Sequence, residues 1–156
     1  MAGSLVATVK AAVIDGLATH LEETPGFNAA DPENEVLVEY GYSFKVNAAQ
    51  RIYVGRARAD TPPAHLKAGR NVRKEQGTFQ LVVRVEKPGG NVQEADDRVD
   101  AIGTEVETWL ADRKSDQLGI GLTALYVTGW DQNYAGTDSG VVSIREYTVR
   151  WTAERR

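Results

Sequence analysis

The sequence predicts an α+β fold: a mixed, largely antiparallel sheet of about five strands with two helices packed on one face, in the order α-β-β-β-α-β-β. Two stretches repeat apolar residues at the spacing of an amphipathic helix. Five stretches are rich in β-branched and aromatic residues, several with strict alternation, as half-buried strands are. The strands also come in groups rather than singly between helices, which favours antiparallel pairing.

The first helix is predicted over residues 5–23. Ser4 is the N-cap candidate, and Leu5, Val9, Val13, Leu17 and Leu21 follow at four-residue spacing, widened by Val6 and Ile14. Thr24-Pro25-Gly26 ends it, and 27–34 reads as a polar loop. Val36, Val38, Tyr40, Tyr42 and Phe44 alternate with Leu37, Glu39, Gly41, Ser43 and Lys45, which predicts the first strand. The second strand is "RIYVGRARA", 51–59, after a link through Asn47-Ala48-Ala49. From Asp60 to about Val72 the chain has two prolines and no period, so a long loop is predicted there.

Phe79, Leu81, Val83 and Val85 give the clearest alternation in the chain and place a long strand over 73–87. Lys87-Pro88-Gly89-Gly90 is a turn, and Asn91 caps the second helix with Glu94 at the capping-box position. Its buried stripe is Ala95, Val99, Ile102, Val106, Trp109 and Leu110. Strands over about 120–130 and 140–152 finish the chain, joined by a polar loop Asp131–Ser139. In the last strand Tyr147, Val149 and Trp151 share one face while Val142 and Ile144 share the other. That pattern calls for either a bulge or cover on both faces, the second from a neighbouring subunit.

The chain of 156 residues is expected to be a single domain, 1–156, long enough to bury roughly 70% of its unfolded surface. Its 42% hydrophobic and 26% charged residues are ordinary for a globular protein. The absence of cysteine rules out disulfide scaffolds, thiolate zinc sites and cysteine nucleophiles. No apolar run approaches the ~18 residues of a membrane span, and the N-terminal stretch lacks the pattern of a secretory signal, so folding in the cytosol is expected.

Net charge is −4, which argues against global attraction to nucleic acid or anionic membranes. Its distribution is uneven. Arg51, Arg56, Arg58, Lys67, Arg70, Arg73 and Lys74 stand against Asp60 alone, so 51–74 carries +6 and the other 132 residues −10. These seven are the candidate interface or lumen residues. Arg56 and Arg58 are two apart on a strand and are expected to leave one face, with Tyr53, Gly55, Ala57 and Ala59 on the other. The aromatic interleaving of a single-strand binder is missing, and neither helix is basic enough for a recognition helix. A solvated face, a protein contact and loose phosphate contact are the three readings of this segment.

Catalytic signals are lacking. The acidic run "EADDRVD", Glu94 to Asp100, is accounted for by its place at a helix start, where negative charge suits the dipole. His20 and His65 have no ligand partner nearby in sequence. "GIGLTA", 119–124, has the letters of a dinucleotide fingerprint but follows a helix and enters a strand, the reverse of what phosphate binding needs. "TDSGV", 137–141, loosely matches a serine-protease nucleophile region but lacks its flanking glycines, and reads as turn chemistry. There is no Walker A sequence and no H-E-x-x-H. The chain is expected not to be an enzyme and to need no cofactor or metal.

Size, element order and the basic loop together resemble the tail-terminator and minor tail proteins of long-tailed bacteriophages (siphoviruses). "LVATVKAAVIDGLATHL" resembles their opening helix, and "RIYVGRARADTP" their second strand and the loop it feeds. "RVDAIGTEVETWLADR" resembles their second long helix, and "GWDQNYAGTDSGVVSIREYTVRW" their closing hairpin. The resemblance implies a structural virion protein at the head-proximal end of the tail, assembled in the host cytoplasm. It implies a homo-oligomeric ring, a hexamer, that caps the tail tube, ends its polymerisation and joins it to the head-side connector protein. DNA would pass through the lumen without being read, and no membrane is involved. A head–tail connector or stopper of similar layout is the alternative within that class. A nucleic-acid-binding module using 51–74 is the alternative outside it.

Overall fold

The computed structural model describes residues 5–60, 65–67, 70–138 and 140–155. The element order is α1 (Val6–Glu22), β1 (Leu37–Glu39), β2 (Gln50–Asp60), β3 (His65–Lys67), β4 (Arg70–Pro88), α2 (Val92–Asp116), a 3-10 turn (Gln117–Gly119), β5 (Leu122–Thr137) and β6 (Gly140–Arg155). The main sheet runs β1-β2-β4-β6-β5, with the three-residue β3 paired to the start of β4. Only β1–β2 is parallel; the other pairings are antiparallel. This is the expected mixed α+β arrangement.

The core sits between one sheet face and the two helices. Val9, Val13, Ile14, Leu17 and Leu21 of α1 and Val99, Ile102, Val106, Trp109 and Leu110 of α2 meet Phe79, Leu81, Val83 and Val85 of β4. Tyr147, Val149, Trp151 and Ala153 of β6 complete it. The four-residue and two-residue periods of the sequence thus converge on a single cluster. The Asn91 cap forms as expected, its Oδ1 accepting from the Glu94 N–H at 2.8 Å. Ser4 lies outside the described residues; the Leu5 N–H at the start of α1 donates to the buried Glu75 carboxylate at 3.0 Å. After α2, Leu118, Gly119 and Gly121 all take positive φ. The "GIG" letters are therefore the turn from helix into strand, as the sequence order required.

Four expectations need adjusting. The first strand is only Leu37–Glu39, because a parallel β1–β2 pair obliges the chain to travel back along its length before β2 begins, and residues 40–49 are spent on that return. Within the expected loop from Asp60 to about Val72, β2 continues through Asp60, and β3 pairs His65–Lys67 with Val72–Arg70 of an earlier-starting β4. Thr61-Pro62-Pro63 lies outside the described residues. The polar stretch expected to be a loop, Asp131–Thr137, is strand, paired in register with Glu146–Gly140; Ser139 lies outside the described residues. Its polarity reflects an edge strand rather than a loop.

The fourth adjustment concerns the two-faced last strand. β4 and β6 pair without interruption from Arg73↔Arg155 to Pro88↔Gly140, so β6 contains no bulge. Ser143, Arg145, Tyr147, Val149, Trp151 and Ala153 all look toward the helices and are all buried. Val142 and Ile144 belong to the helix-free face, where Val142 is enclosed between its register neighbours Glu86 and Ala135. Arg145 reaches from the sheet to α2: it donates to Asp100 at 3.1 Å, to Gln132 at 2.8 Å and to the Tyr147 hydroxyl at 3.1 Å. Arg98 does the same from α2, donating to Gln50 and to the Gly26 and Asn34 carbonyls.

Two tests follow from the core. A methyl on Gly16 would overlap the Trp109 ring where α1 meets α2. Gly16→Ala would gain about 1 kcal/mol at an open helix site, but overpacking costs about 1–3 kcal/mol, so net destabilisation is expected in denaturant unfolding. Net stabilisation would contradict the helix–helix contact. Burial, only partly offset by Arg145, raises the Tyr147 pKa above its ordinary 10.0. The native state keeps this proton longer than the unfolded chain does. Its stabilising contribution is complete below pH 10 and is lost as pH rises through the higher folded value, at up to about 1.4 kcal/mol per pH unit. Alkaline unfolding titrations should show that slope, and Tyr147→Phe should reduce it.

Candidate interaction surface

The seven basic residues singled out in the sequence do not form one surface. Arg51 is buried, 3% exposed, and turned into its own chain. Its Nη1 donates to Glu39 Oε1 and to the Ser43 carbonyl at 2.9 Å each, its Nε to the Ala48 carbonyl at 3.2 Å, and its Nη2 to the Val46 carbonyl. The Tyr42 ring stacks on the guanidinium at 4.5 Å and edge-on to Tyr53. Arg51 is therefore removed from the set of surface candidates. A guanidinium with five donors in a fixed fork is suited to collecting one carboxylate and three carbonyls from a returning loop.

Arg56, Arg58 and Lys74 are exposed. The expectation for their faces is changed by a bulge in β2: Val54 pairs with Leu81 but Ala57 with Phe79, which adds one residue between them. Up to Gly55 the odd-numbered residues face away from the helices, and a methyl on Gly55 would meet Val82 and Gln80 of that face. Past the bulge the parity reverses. Ala57 and Ala59 then face the helix side, and Arg58 joins the side of Tyr53 rather than opposing it. Arg56 sits in the bulge itself.

Arg58 now pairs with Thr78, and Thr78 with Arg150 of β6, in one row across the helix-free face. The three border an open depression of about 200 Å³ together with Gln76 and Gly77. Arg150 was not among the sequence candidates; only the β4–β6 register brings it beside Arg58. Lys74 lies two rows further along the same face, in register with Glu154. Lys67, Arg70 and Arg73 belong by backbone position to the β3–β4 hairpin and the start of β4, at the same end of the sheet.

The acidic run has gone elsewhere. Asp96 accepts from the Ser143 hydroxyl at 2.6 Å and Asp100 from Arg145, which places the start of α2 over the opposite end of β6. Glu94 and Asp97 are exposed beside them. Arg58, Lys74 and Arg150 therefore stand toward one end of the long strands and Glu94, Asp96, Asp97 and Asp100 toward the other, with Lys87, Arg98 and Arg145 among these acids. The histidine expectation changes too: His20 Nε2 lies 2.9 Å from Glu105 Oε2, linking the end of α1 to α2 across 85 residues of sequence that no local pattern could bridge. The side chain of His65 falls outside the described residues. Among the described residues, no three His, Cys, Asp or Glu side chains gather to hold a metal ion.

Large apolar groups are exposed at both sheet edges. Tyr40, Phe44 and Val46 stand on the loop beside β1 and β2, Phe44 at 92% exposure. Tyr126, Trp130 and Tyr134 stand on β5. Among the described residues no helix is long and apolar enough to cross a membrane.

In comparisons with known proteins, no family model matches the chain and no curated relative does either.

Replacing Arg51 tests the loop clamp. Arg51→Ala strands Glu39 and three loop carbonyls, and a loss of about 3–5 kcal/mol is expected in denaturant unfolding. Arg51→Lys should restore little of it, since one ammonium cannot span the four acceptors. A loss under about 1 kcal/mol would mean the loop is held by something else.

Proposed function

We propose that the chain is a structural virion protein that works by binding alone: a tail terminator whose copies form a ring, taken to be a hexamer, on the end of the tail tube. The ring ends tube polymerisation and presents its other surface to the head-side connector. The observation that carries this reading is the separation of charge along the strands, basic around Arg58, Arg150 and Lys74 and acidic around Glu94, Asp96, Asp97 and Asp100. A subunit that meets unlike surfaces at its two ends needs two patches of opposite character, and head-to-tail ring contacts use different patches by definition. The whole-chain resemblance to tail terminators gives the separation a biological setting.

Phosphate contact is the second reading, favoured by the Arg58–Thr78–Arg150 row alone. Two guanidinium groups flanking a hydroxyl form a cradle for a sugar-phosphate backbone, with no base-reading element beside it among the described residues. In a ring this surface would line a DNA passage; in isolation it would make a weak, salt-dependent nucleic-acid binder.

Purified protein is expected to form rings, seen by light scattering and negative-stain microscopy, and to bind tail-tube protein. Phage lacking the gene should make overlong tails; DNA-leaking heads would instead assign it to the head–tail connectors. Tails of normal length, with a protein that binds no tube, would overturn the reading. For the second reading, replacing both Arg58 and Arg150 with Ala should lower the salt slope of DNA affinity by about one to two. No affinity at low salt would end it.

A further inference from the structure

The two exposed apolar clusters lie on opposite edges of the sheet, and they differ in shape. Beside β1 and β2 the cluster protrudes. Phe44 stands at 92% exposure at the tip of the loop, edge-on to Tyr42 with ring centroids 4.8 Å apart, and Tyr42 is in turn stacked on Arg51. The loop behind it is fastened by the Arg51 hydrogen bonds to Ser43, Val46 and Ala48. An exposed phenylalanine on a fastened loop is held in place before anything meets it, so little entropy remains to be lost on docking.

At the other edge the cluster is concave. A groove of about 460 Å³ opens between α2 and β5, lined by Leu110, Ala111, Leu125, Val127 and Trp130, with Glu107 the one charged residue on its wall. Trp130 is propped from one side by the Arg145 guanidinium, 4.1 Å from its ring centre. Alongside the groove, β5 is the edge strand of the sheet over Leu122–Thr137, a length that soluble proteins cover or blunt when it is left without a partner.

We propose that Phe44 of one copy seats in the α2–β5 groove of the next, with Lys45 beside Glu107. The charges match: Lys45 follows the protruding ring directly in sequence, and the groove wall carries a single carboxylate. The loop cannot fill the groove of its own chain, because β2, β4 and β6 lie between them. A second copy brings the two together. The two patches lie on opposite edges of the sheet, so one neighbour cannot engage both, and repetition closes a ring or continues as a filament. It rests on the reading of the chain as a ring subunit and names the surfaces that the ring would use.

The chain contains no cysteine, so single thiols can be placed cleanly. Ser43→Cys, which leaves the Phe44 ring in place, and Ala111→Cys proteins are prepared separately and then mixed with a short thiol-to-thiol crosslinker. Covalent dimers are expected in the mixture and not in either protein alone. Phe44→Ala should weaken self-association by about 10-fold or more, as truncating a central aromatic anchor does, while thermal unfolding of the monomer is unchanged. Lys45→Glu should weaken it too, and Glu107→Lys in the same chain should recover it. Rings from the wild type without the mixed crosslink, or rings unaffected by Phe44→Ala, overturn the contact and leave the ring reading standing. A wild type that stays monomeric at high concentration and on tube protein, with no crosslink, overturns both. Crosslinking within each single variant at the rate of the mixture would point to a symmetric dimer and also overturn the contact.

Discussion

The unbroken pairing of β4 with β6 is the constraint on which the remaining geometry rests. Sixteen consecutive residue pairs without a bulge mean that each face of both strands is assigned once and stays assigned over the full length. The helices cover one face because Phe79 to Val85 and Tyr147 to Ala153 are apolar on it. The other face inherits whatever remains: arginines and threonine toward one end, Val142 and Ile144 toward the other. All three irregularities of the main sheet, one in β2 and two in β5, lie outside this central ladder and are absorbed by strands nearer the edges. Curvature and re-aimed side chains are thus confined to where contact with other molecules is possible.

Around this ladder, three arginines, Arg51 and Arg145 buried and Arg98 half-buried, attach the less regular parts. Arg51 gathers the loop that returns from β1, Arg98 gathers the segment after α1, and Arg145 joins β6 to α2. Each has a planar, always-charged head that satisfies several acceptors at once, so a few residues replace what would otherwise need further strands or a larger core. Buried charges of this kind contribute little net stability against an apolar alternative, but they fix relative placement of the groups they bind. Placement matters more than stability if the chain acts by presenting surfaces.

Legibility in the sequence followed period. The helices were readable because α1 and α2 each face a single core, so their four-residue stripes are clean. The centre of β4 was readable for the same reason. The stretch 40–44 misled because its aromatics alternate as a strand would, yet Tyr42 packs on Arg51 and Phe44 points outward; alternation does not say what lies opposite. The stretch 131–137 misled in reverse, since an edge strand beyond helix cover has no apolar face to reveal it. Arg51 and Arg58 look alike in sequence and have opposite fates, separated by burial and by one inserted residue. Arg145 did carry a signal: it shares parity with Tyr147 and Val149, which placed it among core positions facing the acids of α2. Arg150 carried none, because its neighbour Arg58 comes from a strand ninety residues earlier and two places away in the sheet.

The extra residue between Val54 and Ala57 works as a phase shifter for everything downstream in β2. Two residues, Gly55 and Arg56, share the place opposite Gln80, so Arg58 stands opposite Thr78 whether that place holds two residues or one. Losing either would straighten the strand and leave the guanidinium on the outer face. A lineage of such proteins can thus drop or regain a codon there without disturbing the charged row or the central ladder.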